Sequence, residues 1–336
     1  MFGFASSSSL TIHAFGKLPI AGDFIRFNIG AGGVGSDEAA GFASWVEAGQ
    51  SLVNNLERGT SIPVDHSPGP VRKFRFLHDD GSGKRVVAGT LRKSVDTVGR
   101  RASFAFFCTL EAKRARARTA IAPRLLGPAW TELESLWGLV EESENLDGLL
   151  EQVGRTRPSA PDDGRKASAE LDAAYARMPA EEHWNRLIPG ADAERRILLL
   201  DTIAQAIHPF RKRRPEEMPI AFRLPIYGSP DDVDFQVAFW LDLLHSMSGG
   251  FRNSINHYVS SPVDGGPRDS LYVFFNTPDD TTFACLMTHQ YESEYVNDLT
   301  TDHGHAGEVA LLSGKALKLL NDPGATLRDY FKLRWF

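Results

Sequence analysis

Lys17, Asp23, Ser94, Asp96 and Arg100 supply two cations, two carboxylates and a hydroxyl on two short glycine-marked segments, Phe15–Phe24 and Gly89–Arg100. Set around one cleft, such groups bind a phosphate-bearing ligand or a phosphorylated partner segment, with Lys17 and Arg100 meeting the anion. Neither segment is a nucleotide phosphate loop, because no Gly-Lys-Ser/Thr closes a four-residue gap after a glycine. The same residues have a structural use. Gly16 and Gly22 permit positive φ or close backbone approach, Pro19 stiffens a turn, and Asp23 and Asp96 accept backbone N–H groups or a cation. A buried Asp23 or Asp96 paired with Lys17 or Arg100 would lock the two loops together at one end of a sheet, and this reading is preferred to the ligand site.

Other chemistries lack their parts. There is no Gly-x-Ser-x-Gly elbow, and Ser248-Gly249-Gly250 after His245 reads as a helix C-cap rather than a nucleophile. His303-Gly304-His305 beside Asp302 has neither a Cys nor a third His nearby, so no metal centre is expected. Asp231-Asp232 and Asp279-Asp280 read as turn and cap carboxylates. The basic runs Lys113–Arg118 and Arg211–Arg214 carry no interleaved aromatics, and the chain has a net charge of -6, so a protein partner fits them better than nucleic acid. No cofactor is expected, and the chain is read as non-catalytic.

The elements that must position these residues alternate in type. Ser9–Ala14 reads as a strand entering the first glycine segment, Phe24–Phe27 resumes apolar periodicity, and Gly30–Gly35 is a glycine-rich loop. Phe42, Trp45, Val46, Gly49, Leu52, Val53 and Leu56 form one face of a helix. Arg72–Leu77 and Arg85–Leu91 flank Asp79–Gly83 as a hairpin, and the apolar run Ala102–Leu110 reads as a central strand covered on both faces. Helices are expected around Trp130–Val140, Leu146–Val153, Ala167–Met178, Ala193–Ile207 and Trp240. Leu271–Phe275 and Thr282–Thr288 read as a second hairpin across Asn276–Asp280.

The fold class is therefore α/β, a mixed sheet sandwiched between helices in three layers, with additional C-terminal helices and a hairpin. Residues 9–153 form an N-terminal α/β region, the proline-bearing stretch 154–166 is a linker or surface loop, and 167–336 form a C-terminal α/β region able to complete the same sheet. With 336 residues and 42% hydrophobic content the chain can bury a full core. Cys108 and Cys285 sit in apolar runs and make no disulfide scaffold. No secretory leader is read and no apolar stretch reaches the roughly 18 residues that cross a bilayer, so a cytoplasmic place without membrane insertion is expected.

The order of motifs resembles the TagF (ImpM-like) proteins associated with bacterial type VI secretion. Phe15-Gly16-Lys17-Leu18-Pro19 with Gly22-Asp23-Phe24 meets that family's N-terminal signature. Trp45, Pro68-Gly69 with Phe74, and then Gly89, Ser94, Val95, Asp96, Val98, Gly99 and Arg100 follow in the family's order. Lys93 stands where the family usually has Pro, and Arg101-Ala102-Ser103 where it has Tyr-Phe-Pro. The resemblance implies a post-translational regulator, typically a repressor, that holds other cytoplasmic components of the secretion system, including a forkhead-associated domain protein. Two alternatives stay open: a phosphate- or nucleotide-binding switch or enzyme using the two loops, and a structural subunit of the secretion assembly.

Overall fold

Strand β5 organises the chain, because Ala102–Leu110 are all buried and each face must find its own cover. The computed structural model describes residues 10–30, 36–59, 72–81, 84–159, 164–210, 218–250, 256–262, 269–288, 296–300 and 311–335. In chain order these form β1 (Ile12–Gly16), β2 (Ile25–Phe27), α1 (Ser36–Gly59), β3 (Arg72–His78), β4 (Arg85–Val95) and β5 (Arg101–Glu111). The helices α2 (Ala112–Ala117), α3 (Ala122–Glu142), α4 (Leu146–Arg155), α5 (Gly164–Arg177), α6 (Ala180–Leu187) and α7 (Ala193–Ile207) follow. Then come β6 (Ala221–Ile226), α8 (Pro230–Ser248), β7 (Asn256–Pro262), β8 (Asp269–Phe274), α9 (Asp280–Met287) and β9 (Asn297–Asp298). Two short helices, Gly314–Leu320 and Leu327–Tyr330, lie near the C-terminal end of the described residues.

The strands form one nine-stranded sheet in the order β2-β1-β5-β4-β3-β7-β8-β6-β9. Every pairing is antiparallel except β6 with β9. The expected fold class is what the chain adopts: a mixed sheet between helices. Alternation along the strands decides which helix covers which residue. Phe15, Phe74, Phe76, Leu91, Ala105 and Phe107 pack with Phe42, Trp45 and Val46 of α1 and Phe283 of α9. Ile12, Ala14, Phe104, Phe106 and Cys108 face the other way, against Leu133, Leu136 and Trp137 of α3 and Leu149 and Val153 of α4. Helices α5 to α8 and the C-terminal pair cover β6 and β8 through a third apolar cluster that includes Trp184, Trp240 and Phe222.

The β3–β4 hairpin is where the alternation places it. Helix α8 begins at Pro230, earlier than the apolar run suggests, because Ser229 is the N-cap and Asp232 closes a capping box with it. Its end is a Gly249 C-cap in the left-handed region, as read from Ser248-Gly249-Gly250. The expected strand Thr282–Thr288 is instead helix α9. Asp279 caps it and exchanges hydrogen bonds with Thr282, and a short buried apolar run has no period that separates strand from helix. Strand β8 therefore pairs with β7 and β6, and the C-terminal hairpin is β7–β8. Ser9, Ala31–Gly35, Pro68-Gly69, Arg211–Arg214 and His303–His305 lie outside the described residues. Gly154 and Arg155 close α4, while Gly164–Lys166 open α5.

Contacts across the β3–β7 pairing join distant parts of the chain. Trp45 donates its indole N–H to the Asp279 carbonyl at 2.7 Å, fixing α1 to the start of α9. His78 is buried, its Nδ1 lies 2.8 Å from the Tyr258 hydroxyl, and burial pushes its pKa down to about 4. Asp79, with a fully buried side chain, accepts two hydrogen bonds from the Arg116 guanidinium at 2.8 and 2.6 Å. Asn256 on β7 accepts from the Asp79 amide and donates back to its carbonyl. Part of the basic run on α2 is thus an internal counter-charge. Asp79→Ala leaves Arg116 facing that buried network without its carboxylate, and chemical denaturation should show a loss of about 3 kcal/mol.

Candidate functional site

Two loops meet at the end of β1 beside the β4–β5 hairpin, and one residue of the first motif fixes the approach. Gly16 pairs with Phe104 on β5 and has φ 127°. A Cβ built there would stand 2.1 Å from the Ser103 carbonyl oxygen, so both backbone conformation and space exclude any other residue. The next amide, Lys17 N–H, donates to that Ser103 carbonyl at 3.2 Å. The chain then turns through Leu18-Pro19-Ile20-Ala21, closed by Ala21 N–H donating to Leu18 O at 3.0 Å, with Pro19 at the second position, which its fixed φ suits. Leu18 and Ala21 are buried, Pro19 is exposed, and Phe24 stacks on Phe15 at 5.4 Å.

The second motif ends a long hairpin in a three-residue loop, Thr97-Val98-Gly99. Asp96 N–H donates to Arg100 O at 3.0 Å, Gly99 N–H donates to Asp96 O at 2.9 Å, and Gly99 takes φ 78°. The Asp96 side chain fills the inside of this turn. Its Oδ1 accepts from the amides of Val98 at 3.1 Å and Arg100 at 2.9 Å. Its Oδ2 accepts from Arg100 Nε at 2.6 Å and from Lys17 Nζ at 3.4 Å, which joins the loops. Burial would raise this carboxyl, but the Arg100 amide and guanidinium, the Val98 amide and Lys17 outweigh it and hold the pKa down to about 2. Lys17 Nζ also lies 4.9 Å from the centre of the Phe24 ring, a cation–π contact within the same loop.

Lys17, Asp96, Gly99 and Arg100 therefore come together as a lock. Asp23 does not join it. Its side chain is exposed, and its Oδ1 accepts from the Phe24 amide at 2.7 Å, because it precedes the edge strand β2 while Asp96 lies between the loops. Gly22 needs no special backbone either: it has no positive φ, and a Cβ there would meet Thr97 Oγ1 at an ordinary 3.7 Å. Ser94, half-buried on β4, turns its hydroxyl to the Val95 carbonyl at 3.4 Å and takes no part. Both cations that an anionic ligand would need at this end are drawn to the single carboxylate of Asp96, which neutralises one of the two charges.

No pattern in the sequence marks the residues that brace and tip this end. Ser103 lies under the loops with its hydroxyl donating to Gln50 Oε1 at 2.9 Å, tying the β5 end to α1, and both residues are buried. At the tip, Val98 is 71% exposed, which no periodicity indicates in a loop of three. Arg92, between this end and α3, lies 4.5 Å from the Trp137 ring and 3.8 Å from Glu141. The described residues hold no group of three or more His, Cys, Asp or Glu that could ligate a metal, and no helix among them is long and apolar enough to cross a membrane.

Two outcomes test the lock. The Asp96 carboxyl is held below its ordinary value of 3.8, so the unfolded chain takes up the proton first; the lock's stability is complete above about pH 4 and falls away toward about pH 2. Asp96→Asn should lower Tm at neutral pH and flatten the acid limb of a Tm-against-pH profile. Gly16→Ala adds backbone strain to a clash with β5, and denaturant titration should show a loss of about 3 kcal/mol or more.

Comparison with known proteins bears on this same segment. Residues 14–153 match the family model of the TagF N-terminal domain, type VI secretion system-associated. Among solved structures the chain is similar to the crystal structure of PA0076 from Pseudomonas aeruginosa PAO1, at 23% identity and a TM-score of 0.31. That similarity covers 45% of this chain and 64% of the other, so the chain spans somewhat less than two thirds of that protein's length. No curated protein matches the sequence. Both glycine motifs and the lock between them fall inside residues 14–153, the segment that matches the TagF N-terminal domain, type VI secretion system-associated.

Proposed function

We propose that the protein is a non-catalytic, cytoplasmic regulator of type VI secretion that acts by binding another component of the system through the locked loop end. The observation that carries this reading is the tip itself. Val98 is 71% exposed on a turn whose backbone is pinned by Asp96, beside an Arg100 side chain that is 64% exposed even while paired. A rigid loop that presents an apolar residue next to a cation loses little conformational entropy on docking, which favours protein recognition. The lock also holds Lys17 and Arg100 on one internal carboxylate, and neither glycine segment is a nucleotide phosphate loop, which weighs against a nucleotide switch at the same place.

The direction of regulation follows the family resemblance: a repressor that holds its partner away from the assembly. A forkhead-associated domain protein of the secretion system is the first partner to test. Purified full-length chain should retain that protein in a pull-down, and Val98→Asp should weaken retention at least tenfold while leaving Tm unchanged, since the residue is exposed. Removing the gene should raise secretion, and the Val98→Asp allele should mimic the removal. Full retention by Val98→Asp, or retention of no cytoplasmic component by the wild type, would overturn this reading. Stabilisation of the wild type by nucleotides but not of Arg100→Ala would favour a ligand switch instead.

A further inference from the structure

Helices α3 and α8 meet on the sheet face where Lys73 and Arg75 reach Glu134, and this contact joins the segment of the family match to the C-terminal half. Asp234 of α8 stands at the seam, half-buried. A Cβ built at Gly127 of α3 would lie 3.7 Å from Asp234 Oδ2, so the carboxylate rests against the α3 backbone. A helix interior has no spare amide to give it there, and the next residue, Pro128, has none at all. Among the described residues Asp234 accepts no hydrogen bond and makes no ion pair.

The cations near the seam are committed to another carboxylate. Arg75 gives Glu134 two hydrogen bonds, at 2.9 and 2.7 Å, and Lys73 Nζ lies 4.0 Å from the same group. Arg124 of α3 is turned to Glu170 of α5 at 2.9 Å, and Arg186 of α6 is held by Glu182 and Asp232. The charges that act on Asp234 are Arg75 from β3, Glu134 from α3 and the exposed Asp231 of its own helix. Helix α7, strand β6 and the turn Thr119–Ile121 also pack on α8 and bring no charge to bear on it. Burial is the largest influence and raises the carboxyl; Arg75 lowers it by less, Asp231 and Glu134 add to the rise, and the pKa goes from 3.8 to about 6.

We propose that the α3–α8 seam is an acid-tightened joint, in which a protonated Asp234 lets α8 close on Gly127 and an ionised Asp234 loosens that contact at neutral pH. Protonation removes a half-buried charge that no hydrogen bond answers. The folded chain keeps this proton between about pH 4 and pH 6, where the unfolded chain has released it, so the stability from this group falls as pH rises across that range and is lowest above it. The Asp96 lock has the opposite sign, since its stability falls only as pH drops. Arg118 pins α8 further along, at Asp242, so the loosening is confined to the N-terminal part of the helix. The joint is separate from the Val98 tip, and its failure and the failure of the regulatory reading are distinct results.

The Tm of the full chain and of Asp234→Asn, followed from about pH 4 to about pH 8, tests the joint. Asparagine has the shape of the neutral acid, so the two should melt together near about pH 4 and separate by a few degrees above about pH 6, with the variant the more stable. Hydrogen exchange, corrected for its intrinsic pH dependence, should show residues 230–238 less protected at about pH 7.5 than at about pH 5 in the wild type, and equally protected at both in Asp234→Asn. The proposal is overturned if the Tm difference does not change with pH, if Asp234→Asn melts below the wild type at neutral pH or fails to fold, or if exchange over 230–238 responds to pH alike in both chains.

Discussion

The double burial of β5 is the constraint on which the rest of the structure depends. Its eleven residues pair with β1 on one side and with β4 along their whole length on the other. Phe104, Phe106 and Cys108 require cover by α3 and α4, while Ala105 and Phe107 require cover by α1 and α9, and this sets the layers. The same strand supplies the Ser103 carbonyl that receives the Lys17 amide and excludes a side chain at Gly16. Position at the loop end is thus inherited from the core. The loops are rigid because the strand beneath them cannot move without uncovering apolar surface.

Much of this is legible in the residues. The α1 face, the β3–β4 hairpin and the central strand follow from period alone, since each is long and each has one dominant pattern. The lock is half legible. Two carboxylates with two cations within reach announce an ion pair, but nothing in the order of residues says that Asp96 is enclosed and Asp23 solvated. That depends on β2 being an edge and β4 an interior strand, which is a property of the whole sheet. Helix α9 reads as a strand for a related reason: Asp279 and Thr282 start it, and a capping box looks much like a hairpin turn. Helix α6 has no side-chain N-cap, since Pro179 precedes it, and only Glu181 and Glu182 in its first turn mark its start.

The basic run on α2 shows the limit from the other side. As a string, Lys113–Arg118 is a surface patch awaiting a partner. In the fold, Arg116 closes on Asp79 and Arg118 on Asp242 and Asp172, residues from three different parts of the chain. Charge pattern locates cations but not their counter-ions when those are far away in sequence.

The β3–β7 pairing has a consequence for how the chain is made. Arg75 on β3 pairs with Val259 on β7, about 180 residues later in synthesis. At roughly 5–20 residues per second, β3 waits on the order of 10–40 seconds on the ribosome with one edge unpaired. An open edge is a template for the wrong strand. Three cations, Arg72, Lys73 and Arg75, stand in that strand, and the last two meet Glu134 of α3 at 4.0 and 2.7 Å, so a helix made soon after β3 can hold its face while its edge waits for β7.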